Sequence, residues 1–248
     1  MRIVAIGPFL SLCSFLAFAA CSQPPLTTHS STTTSRGQET DAPSGTAAAQ
    51  QGAALVRLVN ADPASTGMDI VWGNATFFSN VPYKATTPYR EAPRGPAIFR
   101  LRMAGGTEDL SAANHELLIG RHYTLVALPK DMGGTRLTIM GDSLGLLEPG
   151  QARVRLINAA TGVDDLALFI AGTPNRILHG ISAAVTATSF VDMEGGTVEI
   201  RSPSRPAPTL VKALTVEENR LSTFIVVGTA GALDVVQIVD RTDGVDSE

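Results

Sequence analysis

Gly141-Asp142-Ser143-Leu144-Gly145 is the segment of this chain whose residue types and spacing best suit covalent chemistry. It fits the G-x-S-x-G pattern of a nucleophile elbow, in which a sharp strand-to-helix turn presents a serine hydroxyl. Acyl transfer through that serine needs a histidine within hydrogen-bond reach, an acid to orient the histidine, and oxyanion donors from the turn. The surroundings supply none of these. Leu146-Leu147-Glu148-Pro149-Gly150 follows the serine and is too short and too rich in Pro and Gly for the expected helix. The only downstream histidine is His179, and the position three before it holds Arg176 instead of an aspartate. A serine esterase using Ser143 is therefore the weakest functional reading, and the chain reads as a non-enzyme.

Metal chemistry fares no better. His29, His115, His122 and His179 have no second His or Cys at ligand spacing. The nearest approach to a pair is His115 and His122, which flank one strand-turn and read as surface or half-buried sheet residues. Asp62, Asp69, Asp164 and Asp165 cluster near one type of loop. A Ca²⁺ site would need several convergent oxygens, and aspartate as a turn former is the simpler reading. No metal and no cofactor is expected. The remaining chemistry is aromatic: five of the ten aromatics beyond residue 20 are Trp72, Phe77, Phe78, Tyr83 and Tyr89. Such rings suit stacking on sugars or docking of apolar partners.

The elements that position these residues come twice. Val56-Arg57-Leu58-Val59-Asn60-Ala61 returns as Val154-Arg155-Leu156-Ile157-Asn158-Ala159. Residues 68–72 correspond to 166–170, 97–102 to 197–201, 123–128 to 223–228, and 136–140 to 235–239. Each segment is a short apolar run of period two, bounded by Gly, Pro, Asn or Asp. In the opening strand, Val56 and Leu58 are expected to face a core, with Arg57 facing water. Seven or so strands per copy, with no amphipathic helix, predict an all-β chain of two tandem antiparallel β-sandwiches of the immunoglobulin or transthyretin kind. The short link 146–151 suggests sandwiches touching end to end.

The repeat also tests the motifs. Gly141-Asp142-Ser143-Leu144 spells the signature of the Gly-Asp-Ser-Leu esterases, yet Gly141-Asp142 falls where the second copy has Asp240-Arg241, at the exit of its last strand. Trp72 is matched by Ile170 and Tyr89 by Phe190, which points to core roles for both. Phe77, Phe78 and Tyr83 face only Asn175, Arg176 and Ile181 in the second copy. They form the candidate binding surface.

The N-terminal region concerns location. Arg2 followed by an apolar stretch to Ala20, broken by Pro8, reads as a signal peptide. Ala19-Ala20-Cys21 resembles the lipobox of bacterial lipoproteins, with Phe18 where an aliphatic residue is usual. That resemblance implies lipid attachment at Cys21, and Ser22 after it favours the outer membrane. Cys13 lies in the removed segment, so the folded domains carry neither thiol nor disulfide. Residues 21–50 are Ser/Thr/Ala-rich and read as a disordered tether with a reach of roughly 30 Å. The expected domains are residues 1–20 signal peptide, 21–50 tether, 51–148 and 149–241 sandwiches, and 242–248 an acidic tail. Net charge is −4 without a basic run, so nucleic acid is not an expected partner.

Residues 56–64, Met68-Asp69-Ile70-Val71-Trp72-Gly73, Ser79-Asn80-Val81-Pro82-Tyr83-Lys84, Tyr89 with Pro93-Arg94-Gly95, and His122-Tyr123-Thr124 resemble the domain-of-unknown-function family numbered 4397. The resemblance spans about 55–241, and the second copy lacks the Pro-Tyr and His-Tyr-Thr signatures. It implies tandem β-domains in secreted or surface-anchored bacterial proteins. A more distant resemblance is to the periplasmic accessory protein of alginate O-acetylation. Neither family supplies catalytic residues. The expectation is a lipid-anchored envelope protein, at the outer membrane or cell surface or facing the periplasm, acting as a non-catalytic binding or scaffolding module. Its partners would be the membrane through its lipid, and envelope proteins or polysaccharide. The alternative is an accessory role in exopolysaccharide O-acetylation.

Overall fold

The computed structural model describes residues 52–130, 132–181, 189–202 and 210–242. Cys21, the signal segment, the tether and residues 243–248 lie outside the described residues.

Alternating apolar residues and Gly, Pro and Asn punctuation produce strands throughout, and no helix occurs among the described residues. The first copy contains β1 (Ala53–Asn60), β2 (Met68–Trp72), β3 (Ala75–Val81), β4 (Arg90–Pro93), β5 (Gly95–Met103), β6 (Ser111–Leu117), β7 (His122–Pro129) and β8 (Thr135–Asp142). They form two sheets, ordered β4-β1-β7-β8 and β3-β2-β5-β6. The second copy contains β9 (Gln151–Thr161), β10 (Leu166–Ile170), β11 (Arg176–Ile181), β12 (Val191–Glu194), β13 (Gly196–Arg201), β14 (Leu210–Val216), β15 (Arg220–Thr229) and β16 (Ala232–Arg241). Its sheets run β12-β9-β15-β16 and β11-β10-β13-β14, the same order with the same connectivity.

Each pair of sheets encloses its own core. Val56, Leu58 and Leu125 pack onto Ile70, Phe99 and Leu101 in the first sandwich. Val154, Leu156 and Phe224 pack with Leu168, Val198 and Ile200 in the second. The all-β, two-sandwich expectation holds. The sheets are not wholly antiparallel, however: β1 pairs with β7, and β9 with β15, in parallel. Parallel central strands are buried on both faces, and β7 and β15 are buried along almost their whole length.

The second buried face overturns the end-to-end arrangement. Val59, Ala61, Val126 and Leu128 of the first sandwich form one cluster with Ile157, Ala159, Ile225, Val227 and Ile238 of the second. The β1–β7 sheet thus lies face to face on the β9–β15 sheet. Arg57 and Arg155, expected in water, sit on these faces with only 3% and 2% of their surface exposed. The Arg in the alternating pattern marked a polar position, but Val59 and Ala61 on the same face made that face apolar. The chain turns between copies at residues 148–151: Gln151 N donates to the Glu148 carbonyl at 3.0 Å, and Gly150 takes a φ of 83° after Pro149. Pro followed by Gly with positive φ is the composition of a type II turn.

Candidate functional site

The strand registers align the copies residue by residue. Arg57 pairs with Thr124, and Arg155 with Thr223. His122 pairs with Asp142, and Leu221 with Asp240. Asp142 therefore corresponds to Asp240, Thr124 to Thr223 and His122 to Leu221. The sequence alignment of the last two strands is displaced by one residue, and a one-residue slip exchanges the faces of a strand. The corrected register reveals a repeated Arg, Thr and Asp, all on the face shared by the sandwiches.

These residues exchange partners across the seam. Arg57 donates from Nη1 and Nη2 to the two carboxylate oxygens of Asp240, at 2.7 Å each, and from Nε to Thr124 Oγ1 at 2.8 Å. Arg155 donates from Nη2 to Asp142 Oδ1 at 2.5 Å and to Thr223 Oγ1 at 3.2 Å, and from Nη1 to the Gly141 carbonyl at 3.0 Å. Each guanidinium also lies over an aromatic ring of its own copy, Arg57 at 4.4 Å from the Tyr89 centroid and Arg155 at 4.8 Å from that of Phe190. Arginine is suited to such a place because its planar fork bonds a carboxylate in two places while its face stacks on a ring. Tyr89 and Phe190 thus belong to the seam and not to a sandwich core, which corrects the role expected of Tyr89.

Burial alone would lower the Arg57 pKa, but the Asp240 hydrogen bond and the Asp142 charge hold it above its ordinary value. Burial, reinforced by Asp142, pushes the Tyr89 hydroxyl far above the usual phenol range against the pull of Arg57. Tyr89 accordingly remains a donor, to Asp142 Oδ2 at 2.8 Å. The same oxygen accepts from Thr124 Oγ1 at 2.5 Å. Phe190 has no hydroxyl to match this, so Asp142 is more heavily engaged than its counterpart.

Beside Asp142 the two sandwiches leave a crevice of about 340 Å³, lined by Leu118, His122, Tyr123, Ser143 and Phe190 among others. Pairing of β7 with β8 brings His122, which precedes the serine in sequence, opposite Asp142 and so near Ser143. His122 is buried, which corrects its reading as a surface or half-buried residue, and its Nδ1 has no hydrogen-bond partner. Its ring stands edge-to-face with Tyr89 at 4.9 Å. The Ser143 hydroxyl accepts from Arg153 Nη1 at 2.9 Å, and Arg153 is itself bidentate to Asp192. Asp142, the acid nearest to His122 along the chain pairing, is held by Arg155, Thr124 and Tyr89. Grooves of about 400 Å³ beside Ile119 and about 380 Å³ between β14 and β16 are larger. Neither is lined by a buried polar side-chain atom without a partner among the described residues.

The expected aromatic surface is not a continuous face. Phe77 is a core residue, 7% exposed, packed against Trp72 and Phe99 at 5.6 and 5.8 Å. Phe78 is half-buried against that core, while half-buried Tyr83 packs instead on the cluster between the sandwiches. Phe78 pairs with Ile70 and Leu178 with the corresponding Leu168, so Phe77 has Ile177 as its counterpart and not Asn175, and the comparison of the copies misassigned it. Asp62 and Asp69 are turn clips as expected. Asp62 Oδ1 accepts from Ala64 N at 2.9 Å, and Asp69 holds the amides of Asn80 and Gly105 at 2.7 and 3.0 Å. No group of three metal-ligating side chains occurs among the described residues.

The repeated asparagine, unassigned from sequence, is a structural clip in both copies. Asn60 Nδ2 donates to the Val81 carbonyl at 2.9 Å and to Ser65 Oγ at 2.7 Å. Asn158 Nδ2 donates to the carbonyls of Val163 and Ile181 at 2.8 and 3.3 Å. In each copy the amide oxygen accepts from the backbone nitrogen two residues on, at 3.1 Å.

Residues 54–169 match the family model described as Domain of unknown function (DUF4397), which spans the first sandwich and continues through β9 into β10. No curated protein matches the chain.

Proposed function

From a chain that carries a DUF4397 domain, whose activity is unassigned, we propose a lipid-anchored bacterial envelope protein that acts as a non-catalytic binding and scaffolding module. Cys21 would hold it to the outer membrane or cell surface, and envelope proteins or polysaccharide would be its partners. The observation that supports the scaffolding role is the crossed pairing of Arg57 with Asp240 and Arg155 with Asp142. Two sandwiches joined by a buried apolar face and by charges that each need the other copy move as one body. Their loops and edges are then displayed in fixed relation, which is useful for binding and needs no reacting group. Ser143, tied to Arg153 and beside an aspartate already engaged elsewhere, lacks the orienting relay that a serine nucleophile requires. An accessory role in exopolysaccharide O-acetylation is a narrower form of the same proposal, resting on the resemblance of the opening strands.

Expression of the full chain in a Gram-negative host with a clickable fatty acid tests the anchor. The expected result is a labelled protein in the membrane fraction, and an unlabelled, soluble Cys21→Ala variant. An unlabelled wild type would overturn the anchor. Hydrolysis of p-nitrophenyl acetate by wild type and Ser143→Ala should be equal. Turnover that depends on Ser143 would overturn the non-catalytic reading.

A further inference from the structure

We infer that the turn at Leu118 and Ile119 seats the first sandwich on the lipid bilayer, its two side chains entering the apolar layer beneath the headgroups. This rests on the lipid-anchored reading and states which end of the protein meets the membrane.

The second copy is the internal control. The equivalence of His122 and Leu221 carries back without a gap, so Leu118-Ile119-Gly120-Arg121 corresponds to Glu217-Glu218-Asn219-Arg220. The backbones agree. Gly120 and Asn219 both take a positive φ, 71° and 57°. Their amides donate to the carbonyls of Ala53 and Gln151, at 3.0 and 2.8 Å. Leu117 and Val216, just before the two turns, are both buried. The same turn therefore forms with two exposed glutamates at its tip, one of them 3.7 Å from Arg220. The first copy keeps the arginine but has Leu118, 53% exposed, and Ile119, 42% exposed, in place of the acids. Single exposed aliphatic side chains are ordinary on a protein surface. Among the described residues, however, these are the one adjacent pair of large apolar residues that are both exposed, and the fold does not require them.

Position selects the occupant. Ile119 lies so close to Gly52 that a Cβ there would clash with its Cγ2, and Leu55 N donates to the Arg121 carbonyl at 2.9 Å. The tip thus stands beside the start of β1, at the end where the chain from Cys21 enters. A lipid on Cys21 would hold this end within roughly 30 Å of the bilayer. Contact then becomes an intramolecular event, and a weak apolar contact is enough to be populated. The Glu217-Glu218 turn instead adjoins Gln151, after the link between the sandwiches, and it keeps its charge.

The surroundings specify the kind of contact. The groove beside Ile119 is lined by Leu117 and Leu118 and carries one charge of each sign, Arg94 and Glu116. Opposed charges give little net attraction to anionic headgroups, so removal of apolar surface from water carries the contact. Two aliphatic side chains orient a protein that is already anchored and do not replace the anchor.

Full-length Ile119→Trp and Glu218→Trp chains, mixed with excess phosphatidylcholine vesicles whose acyl chains are brominated, test the seat against the constant signal of Trp72, the sole tryptophan. The indole at 119 should be quenched and blue-shifted, and the one at 218 should not. Leu118→Trp serves as a second reporter of the tip, and cooperative urea unfolding checks that each variant folds. Adding Leu118→Glu to the Ile119→Trp chain should cut the quenching by about threefold or more. High salt should change it by less than about twofold. No quenching at 118 and 119, equal quenching at 119 and 218, or quenching that needs phosphatidylglycerol and vanishes in salt would overturn the inference. Shielding of the indole that rises with protein concentration without lipid would assign the tip to a second copy and overturn it equally. Flotation of the same samples reads the anchor separately. A chain that floats unquenched keeps the anchor and refutes the seat; one quenched only at lipid excess, and not floating at low lipid, keeps the seat and refutes the anchor.

Discussion

Arg57 in the first strand and Asp240 in the last lie 183 positions apart and meet through two hydrogen bonds of 2.7 Å. Arg155 and Asp142 make the reciprocal contact, so each sandwich contributes one cation and one anion to the other. Removing one member of a buried pair strands its partner and costs about 3–5 kcal/mol. Asp240→Asn should lower the unfolding free energy toward that range, and Asp142→Asn should cost more. The Asp142 side chain is wholly buried while that of Asp240 keeps 12% exposure, and Asp142 has the additional Tyr89 and Thr124 partners. Urea unfolding of both variants ranks them, and the opposite order would contradict the asymmetry.

Tyr89 gives the seam an alkaline limit. Its hydroxyl pKa is raised above the ordinary value of 10.0, burial being the largest cause. Between the unfolded and folded pKa values the folded state holds a proton that the unfolded chain releases. The resulting stability is complete below about pH 10 and is lost as pH rises beyond it. Tyr89→Phe, which copies Phe190, should cost about 1 kcal/mol at pH 8 for the lost hydrogen bond. It should also flatten the loss of urea midpoint between pH 9.5 and 11. An unchanged slope would show that Tyr89 does not set the alkaline limit.

His122→Leu should leave stability unchanged or raise it by about 1 kcal/mol, because an orphaned buried nitrogen is replaced by the side chain used in the other copy. Leu221→His should do the reverse by a similar or larger amount. Thermal unfolding of the two single variants measures both signs.

The asparagine clips should matter equally in the two copies. Asn60→Ala and Asn158→Ala each abolish three side-chain hydrogen bonds at buried positions. Each should destabilise the protein by about 2–4 kcal/mol, since backbone carbonyls are left without donors. A loss below 1 kcal/mol at either site, read by urea unfolding, would show that the repeated asparagine is retained for another reason.

The residues that were readable from sequence are those whose role is local. Val56, Leu58, Val154 and Leu156 announced their core face through period two, and Asp69 its turn through its type. Arg57 was misread because alternation tells that two faces differ without telling what covers each. Asp142 and Asp240 were hidden for another reason. Their strands, one ending in Gly141-Asp142 and the other in Asp240-Arg241, offer no landmark that fixes register to a single residue, and only the ladder hydrogen bonds do so. The crevice was the least legible feature, because His122, Ser143 and Phe190 approach one another through pairing and docking, which leave no mark in linear spacing.

The crossed pairs should make the two sandwiches unfold as one body. Differential scanning calorimetry of the full-length chain tests it most directly. A single transition is expected, with calorimetric and van't Hoff enthalpies that agree, and its division into two transitions in an Arg57→Ala, Arg155→Ala double variant. Two resolved transitions in the wild-type protein, or a double variant that still melts as one unit, would contradict it.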